Sequence, residues 1–149
     1  MRIEPVSKVH RDAWLALRIA LWPDEDETVL AEDVDRMLGT ADVDRPTWLA
    51  IDEGGVSGFA EASLRRDYVN GCETSPVAFL EGIYVAPQAR CQGVGRALDR
   101  AVQDWAIQRG CQEYASDALI DNRDSHAFHA ALGFEETERV VYFRRRLSA

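Results

Sequence analysis

From Phe79 to Val85 the residues alternate as a strand, with Phe79, Ile83 and Val85 on one face, Glu81 among them, and Leu80, Gly82 and Tyr84 on the other. A strand apolar on both faces belongs at the centre of a sheet. Pro87 has no N–H to give to a ladder and biases Ala86 towards an extended conformation, so the strand ends there and the chain turns. Beyond Arg90-Cys91-Gln92-Gly93-Val94-Gly95, the residues Val94, Leu98, Val102 and Trp105 recur at helical spacing. This predicts an amphipathic helix, closed by Gly110.

The same reading extends to the rest of the chain. Arg2 to Val6 is a first strand, and Ser7 caps a helix with Ala13, Trp14, Leu17, Ala20 and Leu21 on one face, stopped by Pro23. A second helix turns Leu30, Val34, Met37 and Leu38 inward and ends at Gly39. Thr47 to Asp52 and Val56 to Leu64 form a hairpin about Glu53-Gly54-Gly55. Arg65 to Pro76, with Asn70-Gly71, is a polar loop that carries Tyr68. Glu113 to Asp117 is a strand, Ser125 to Leu132 a helix ended by Gly133-Phe134, and Thr137 to Arg146 alternates as a long last strand. The order predicts a mixed α/β fold, with residues 1–149 as a single domain and no internal repeat.

Composition narrows the partners. At 149 residues with 46% hydrophobic residues, the chain is long enough for a core of its own. It has no apolar stretch of bilayer length, and Met1-Arg2-Ile3-Glu4-Pro5 lacks the apolar centre of a secretion signal, so a soluble cytoplasmic protein is expected. Cys72, Cys91 and Cys111 are scattered without metal-ligand spacing, which predicts reduced thiols and no metal. A net charge of −9 disfavours nucleic acid and anionic membrane and suits a small cationic substrate, although acidity also serves solubility.

Two glycines at the start of a helix let the backbone approach an anion closely, and the helix N-terminus offers outward N–H groups to a pyrophosphate. Leu98 stands where a dinucleotide fingerprint needs its third glycine, and no GxxxxGK[ST] occurs. The R-x-x-G-x-G pattern, Asn122 and Ala131-Leu132-Gly133-Phe134 together resemble the GCN5-related N-acetyltransferase family over most of the chain. That resemblance implies a single-domain acyl-CoA N-acyltransferase fold, a mixed central sheet flanked by helices. Two parallel strands, ending near Val85 and Asp117, splay apart to admit the pantetheine arm of acetyl-CoA. It implies main-chain contacts to the arm from Ile83, Tyr84 and Val85. Arg90, Cys91, Gln92, Gly93, Val94, Gly95 and Arg96 would hold the pyrophosphate, and the Asn122 side chain would also bind the coenzyme.

Further matches narrow the family. Leu21-Trp22-Pro23, Leu80-Glu81-Gly82-Ile83-Tyr84-Val85, Ala115-Ser116-Asp117, Asp121-Asn122, Ser125-His126-Ala127 and Glu136-Thr137-Glu138-Arg139-Val140-Val141-Tyr142-Phe143 resemble the type I aminoglycoside 6'-N-acetyltransferases. The resemblance implies substrate contacts at Trp22, Tyr68, Glu81, Asp117 and Glu138, and a homodimer. Three carboxylates and two aromatic side chains suit a polyammonium sugar. Each has a plain structural alternative: Glu81 paired with an internal arginine, Asp117 capping a turn, Glu138 on a solvated edge, Trp22 in the core. Asp117 is the expected base, with Glu81 second, and a main-chain N–H near Tyr84 the oxyanion donor. His129 stands where many family members carry a tyrosine acid, so that role does not transfer. Cys91 lies at a helix N-terminus but has no neighbouring histidine, which favours direct transfer over an acyl-cysteine. Two other readings remain: an acetyltransferase of the same fold for a polyamine or protein N-terminus, and a non-catalytic coenzyme-A sensor.

Overall fold

Five strands, β1 (Arg2–Pro5), β2 (Thr47–Asp52), β3 (Gly55–Arg65), β4 (Val77–Val85) and β5 (Tyr114–Ser116), form one sheet in that spatial order. The first four run antiparallel to their neighbours, and β5 joins β4 in parallel. The computed structural model describes residues 1–148, which form two compact units, one of 117 residues from Met1 to Asp117 and one from Ala118 onward.

In the first unit, α1 (Arg11–Leu21) and α2 (Glu27–Gly39) cover one sheet face, and α3 (Val94–Gln108) covers the other. A short 3-10 turn, Lys8–His10, intervenes between Ser7 and α1, and the Ser7 hydroxyl pairs with His10 rather than capping the helix. Within the acidic run Asp24-Glu25-Asp26-Glu27 that precedes and opens α2, Asp26 Oδ1 accepts the Thr28 N–H at 2.7 Å as an N-cap. Trp14, Val34, Leu49 and Phe59 are wholly buried under α1 and α2, and Leu98 and Val102 are wholly buried in α3. Side chains of this kind each contribute roughly 1.5–3 kcal/mol on burial.

The helical pattern of α1 misses one residue. Ala13 and Ala20 are exposed, whereas Arg18 is buried and donates through Nε and Nη2 to the equally buried Glu61 at 2.8 and 3.2 Å. Trp14 Nε1 donates to the same carboxylate at 3.0 Å, and Arg18 Nη1 donates to the Leu30 carbonyl. Burial pushes the Glu61 carboxyl up, against the pull of Arg18 and Trp14. A paired buried charge of this kind adds little net stability, so the apolar cluster holds the unit together and the ion pair specifies how α1 seats.

The register of β4 corrects its predicted faces. Glu61 pairs with Gly82 but Ala62 with Leu80, so Glu81 is the extra residue of a β-bulge. The alternation therefore changes phase: Phe79 lies with Ser63 on the α1 side, while Ile83 and Val85 lie opposite Ala60 and Gly58 on the α3 side. A single inserted residue inverts every face beyond it because strand side chains have a period of two.

In the second unit, α4 (Arg123–Ala131) starts at Asn122, whose Oδ1 accepts the Ser125 N–H. It ends with Gly133 at φ 97° and the Phe134 N–H on the His129 carbonyl, a left-handed cap. The long strand expected at Thr137 to Arg146 does not form, and residues 135–148 are exposed without regular structure. Alternation prepares a strand face, but a strand needs a ladder, and the ladders among the described residues join β1 to β5 alone.

Candidate active site

β4 pairs with β3 along its whole length but with β5 only from Ala78 to Leu80. Ser116 Oγ donates to the Leu80 carbonyl at 3.2 Å and closes the last rung. From Glu81 to Val85 the β5 side of the strand has no ladder partner among the described residues. The two parallel strands part here, beside Ile83, Tyr84 and Val85. An open strand edge offers alternating N–H and C=O groups, which suits the amide groups of a pantetheine arm.

This edge leads into the glycine loop. Arg90 Nε donates to the Val85 carbonyl at 2.9 Å, and its guanidinium lies 5.4 Å from the Tyr84 ring, tying the loop to the strand end. Gln92 is tied to the Gln88 carbonyl. Cys91 and Gly93 adopt left-handed backbones, φ 61° and 81°. Gly93 is the N-cap of α3 without any side-chain cap, and no acid lies in the first turn. Gly58 allows the close packing beneath: a Cβ there would stand 2.8 Å from the Tyr84 carbonyl oxygen and 3.3 Å from Val94. The first turn of α3, Val94, Gly95 and Arg96, thus carries an electropositive end with no acid of its own, the chemistry a pyrophosphate needs.

Glu81 and Trp22 come together on the α1 face. Trp22 caps α1, its N–H on the Arg18 carbonyl, and its ring packs against Phe59 at 6.2 Å and lies 5.0 Å from the Arg18 guanidinium. The same ring lies against Gly82, the neighbour of Glu81. Glu81 is half-buried and pairs with an arginine, though an exposed one at the end of β3: Oε1 accepts from Ser63 Oγ at 2.5 Å and from Arg65 Nη2 at 2.9 Å. Tyr68 is exposed in the loop after β3, and Asp117 is exposed directly after β5.

Asn122 and Glu138 belong to the second unit. Asn122 uses its carbonyl oxygen as the α4 cap, and Glu138 is exposed in the irregular C-terminal segment. His129 Nδ1 lies 2.7 Å from the Ser125 carbonyl of its own helix and its ring packs edge-on against Phe134, a structural engagement. Sequence reasoning missed Arg18, Ser63, Arg65 and Ser116. No local motif marks them, since each meets its partner across the sheet or between helix and sheet. Among the described residues no group of three or more His, Cys, Asp or Glu side chains is placed to hold a metal ion, and no helix is long and apolar enough to cross a membrane.

An open strand edge running into an uncapped helix start is the arrangement that an acyl-coenzyme-A site in an N-acetyltransferase fold calls for. The acetyltransferase (GNAT) family model matches residues 7–134, and the chain belongs to that family. An aminoglycoside N(6')-acetyltransferase type 1 of Stenotrophomonas maltophilia is 53% identical over 136 residues, covering 91% of this chain and 86% of that protein. A solved structure of AAC(6')-Iy in complex with the bisubstrate analogue CoA-S-monomethyl-acetylneamine is similar at TM-score 0.89 and 44% identity, with 98% of each chain covered. The apo crystal structure of AAC(6')-IG from Acinetobacter haemolyticus is similar at TM-score 0.93 and 44% identity, covering 99% of this chain and 100% of that one. Within the family, the chain falls in the type I aminoglycoside 6'-N-acetyltransferase group.

Proposed function

We infer that this chain transfers the acetyl group of acetyl-CoA directly to the 6' amine of an aminoglycoside, a reaction that confers antibiotic resistance. The observation that carries this reading is the open β4 edge, which runs from the bulge at Glu81 to the glycine loop. Ile83, Tyr84 and Val85 hold the pantetheine arm by main-chain groups. The loop from Arg90 to Arg96 holds the pyrophosphate, and the Asn122 side-chain amide is a further coenzyme contact. Because the family model spans both units, they are read as one functional domain.

An ammonium cannot attack a thioester, so the substrate must lose a proton. Asp117, solvent-accessible at the end of β5, is the assigned base, and Glu81 orients the acceptor beside Trp22. Tyr68 and Glu138 supply further acceptor contacts. A main-chain N–H near Tyr84 stabilises the oxyanion. Cys91 takes no part: the exposed thiol has no oriented base in its sequence neighbourhood. Acetyl-CoA alone therefore leaves no acetyl mass on the enzyme.

Steady-state kinetics of Asp117→Asn tests the assignment. Loss of a positioned base lowers kcat/KM by about two to four orders of magnitude, while coenzyme affinity is unchanged. Near-normal turnover in Asp117→Asn with loss in Glu81→Gln assigns the base to Glu81 instead. Compounds with a 6' amine turn over, and analogues with a 6' hydroxyl are poor substrates, because a hydroxyl is the weaker nucleophile and brings no cation.

We further propose a homodimer acting in the cytoplasm. Val141, Tyr142, Phe143 and Leu147 are 77%, 82%, 91% and 89% exposed in one short segment, and so concentrated an apolar stretch is suited to cover by a second copy. Light scattering of Phe143→Asp checks it: a monomer is expected, and an unchanged dimer removes the segment from the interface.

A further inference from the structure

We propose that Arg65 is a positioning residue of the acceptor site, holding the Glu81 carboxylate in the orientation that receives a substrate ammonium. The proposal rests on the reading of Glu81 as an acceptor contact. As the extra residue of the bulge, Glu81 is turned to the face of β3 that carries Glu61, Ser63 and Arg65. There Oε1 accepts from both Ser63 Oγ and Arg65 Nη2, at 2.5 and 2.9 Å. Among the described residues Oε2 receives only a longer contact, 3.1 Å, from the same nitrogen. A carboxylate offers about four lone-pair positions, so Oε1 is filled and Oε2 keeps one for an incoming donor.

Arg65 is itself held. Its guanidinium carbon lies 3.5 Å from the centroid of the Phe79 ring, on the same face, so a stacked cation and a serine hydroxyl fix the carboxylate from two sides. Two effects of Arg65 on a polycationic acceptor oppose each other. Its charge repels the substrate, while its hydrogen bond spares Glu81 from being ordered on binding. With the Arg65 side chain 42% exposed, water and salt screen the repulsion. The directed contact at 2.9 Å acts regardless, so positioning outweighs repulsion.

The test is steady-state kinetics with kanamycin and acetyl-CoA for Arg65→Met, which keeps an apolar stem over Phe79, and Arg65→Lys, which keeps the charge without the planar fork. The kanamycin KM of Arg65→Met rises roughly three- to tenfold, the worth of ordering one long side chain. The acetyl-CoA KM and kcat stay within about twofold, and Arg65→Lys falls between. A lowered kanamycin KM in Arg65→Met makes Arg65 a competing cation and overturns the proposal. Unchanged KM values with only a lower melting temperature also overturn it, leaving a structural role. Glu81→Gln separates the two levels of argument. If that variant leaves the kanamycin KM unchanged, the acceptor reading of Glu81 fails as well. If Glu81→Gln raises it and Arg65→Met does not, only the role of Arg65 fails. In the double variant Arg65→Met adds no loss beyond Glu81→Gln, since a residue acting through Glu81 has nothing left to position.

Discussion

The Trp22 indole fills the space that any side chain at position 82 would need: a Cβ on Gly82 would stand 2.7 Å from Cζ2 and 2.8 Å from Cη2 of the ring. The ring is pinned from behind by Phe59 and Arg18, so it cannot simply turn away. Gly82→Ala therefore displaces the indole beside Glu81. Overpacking of this kind costs about 1–3 kcal/mol, visible in urea unfolding. In kinetics the KM for the aminoglycoside rises more than that for acetyl-CoA. Equal effects on both substrates would detach Trp22 from acceptor binding.

Glu61→Gln removes the charge that compensates Arg18 in a site where both side chains are almost wholly buried. Breaking one half of such a pair costs about 3–5 kcal/mol. Replacing both, as Arg18→Met with Glu61→Leu, costs far less, because no uncompensated charge remains. Denaturant midpoints of the single and double variants check this, and a single variant as stable as the double one would contradict it.

The glycine loop is best tested at Gly93. Gly95 is buried in the first turn of α3, so an aspartate there would disturb the fold, whereas nothing lies within 4 Å of a Cβ on Gly93. A left-handed backbone costs a side chain roughly 1–2 kcal/mol, and aspartate is among the few residues that visit it, so Gly93→Asp lowers the melting temperature modestly without unfolding the chain. Its carboxylate occupies the pyrophosphate position, and acetyl-CoA affinity falls at least about tenfold, near 1.4 kcal/mol. Calorimetric titration with coenzyme A measures it, and an unchanged Kd removes the loop from the site.

Glu113 is one carboxylate whose protonation weakens the fold. Its Oε1 accepts from the Thr74 hydroxyl and from the main-chain N–H groups of Glu73 and Thr74, and these bonds, Thr74 first, hold its pKa below the ordinary value. A depressed folded pKa stabilises the native state above the unfolded value of about 4.3 and loses that effect as pH falls through the folded value. The wild-type chain therefore melts higher than Glu113→Gln at neutral pH, and the gap narrows as pH falls below about 4.3 and closes once pH has passed the lower, folded value. A gap independent of pH would mean that the geometry, not the charge, of Glu113 holds the loop.

Local chemistry determined much of this protein from the sequence alone. The β2–β3 hairpin about its glycines, the stop at Pro87, the glycine loop and the apolar stripe of α3 all follow from signals acting over a few residues. Motif resemblance supplied the family and the residues proposed for the acceptor site. Tertiary structure decided what neighbours in space rather than in sequence control. Arg18 lies 43 residues from Glu61 and reads as the polar side of a helix, yet it is buried because a carboxylate waits across the sheet. The bulge at Glu81 inverts the faces of β4, and Arg65 reaches that carboxylate from 16 residues away. Residues 137–146 carry the alternation of a strand but no ladder. Alternation specifies which side a residue would face, and only a partner strand determines whether there is a sheet for it to face.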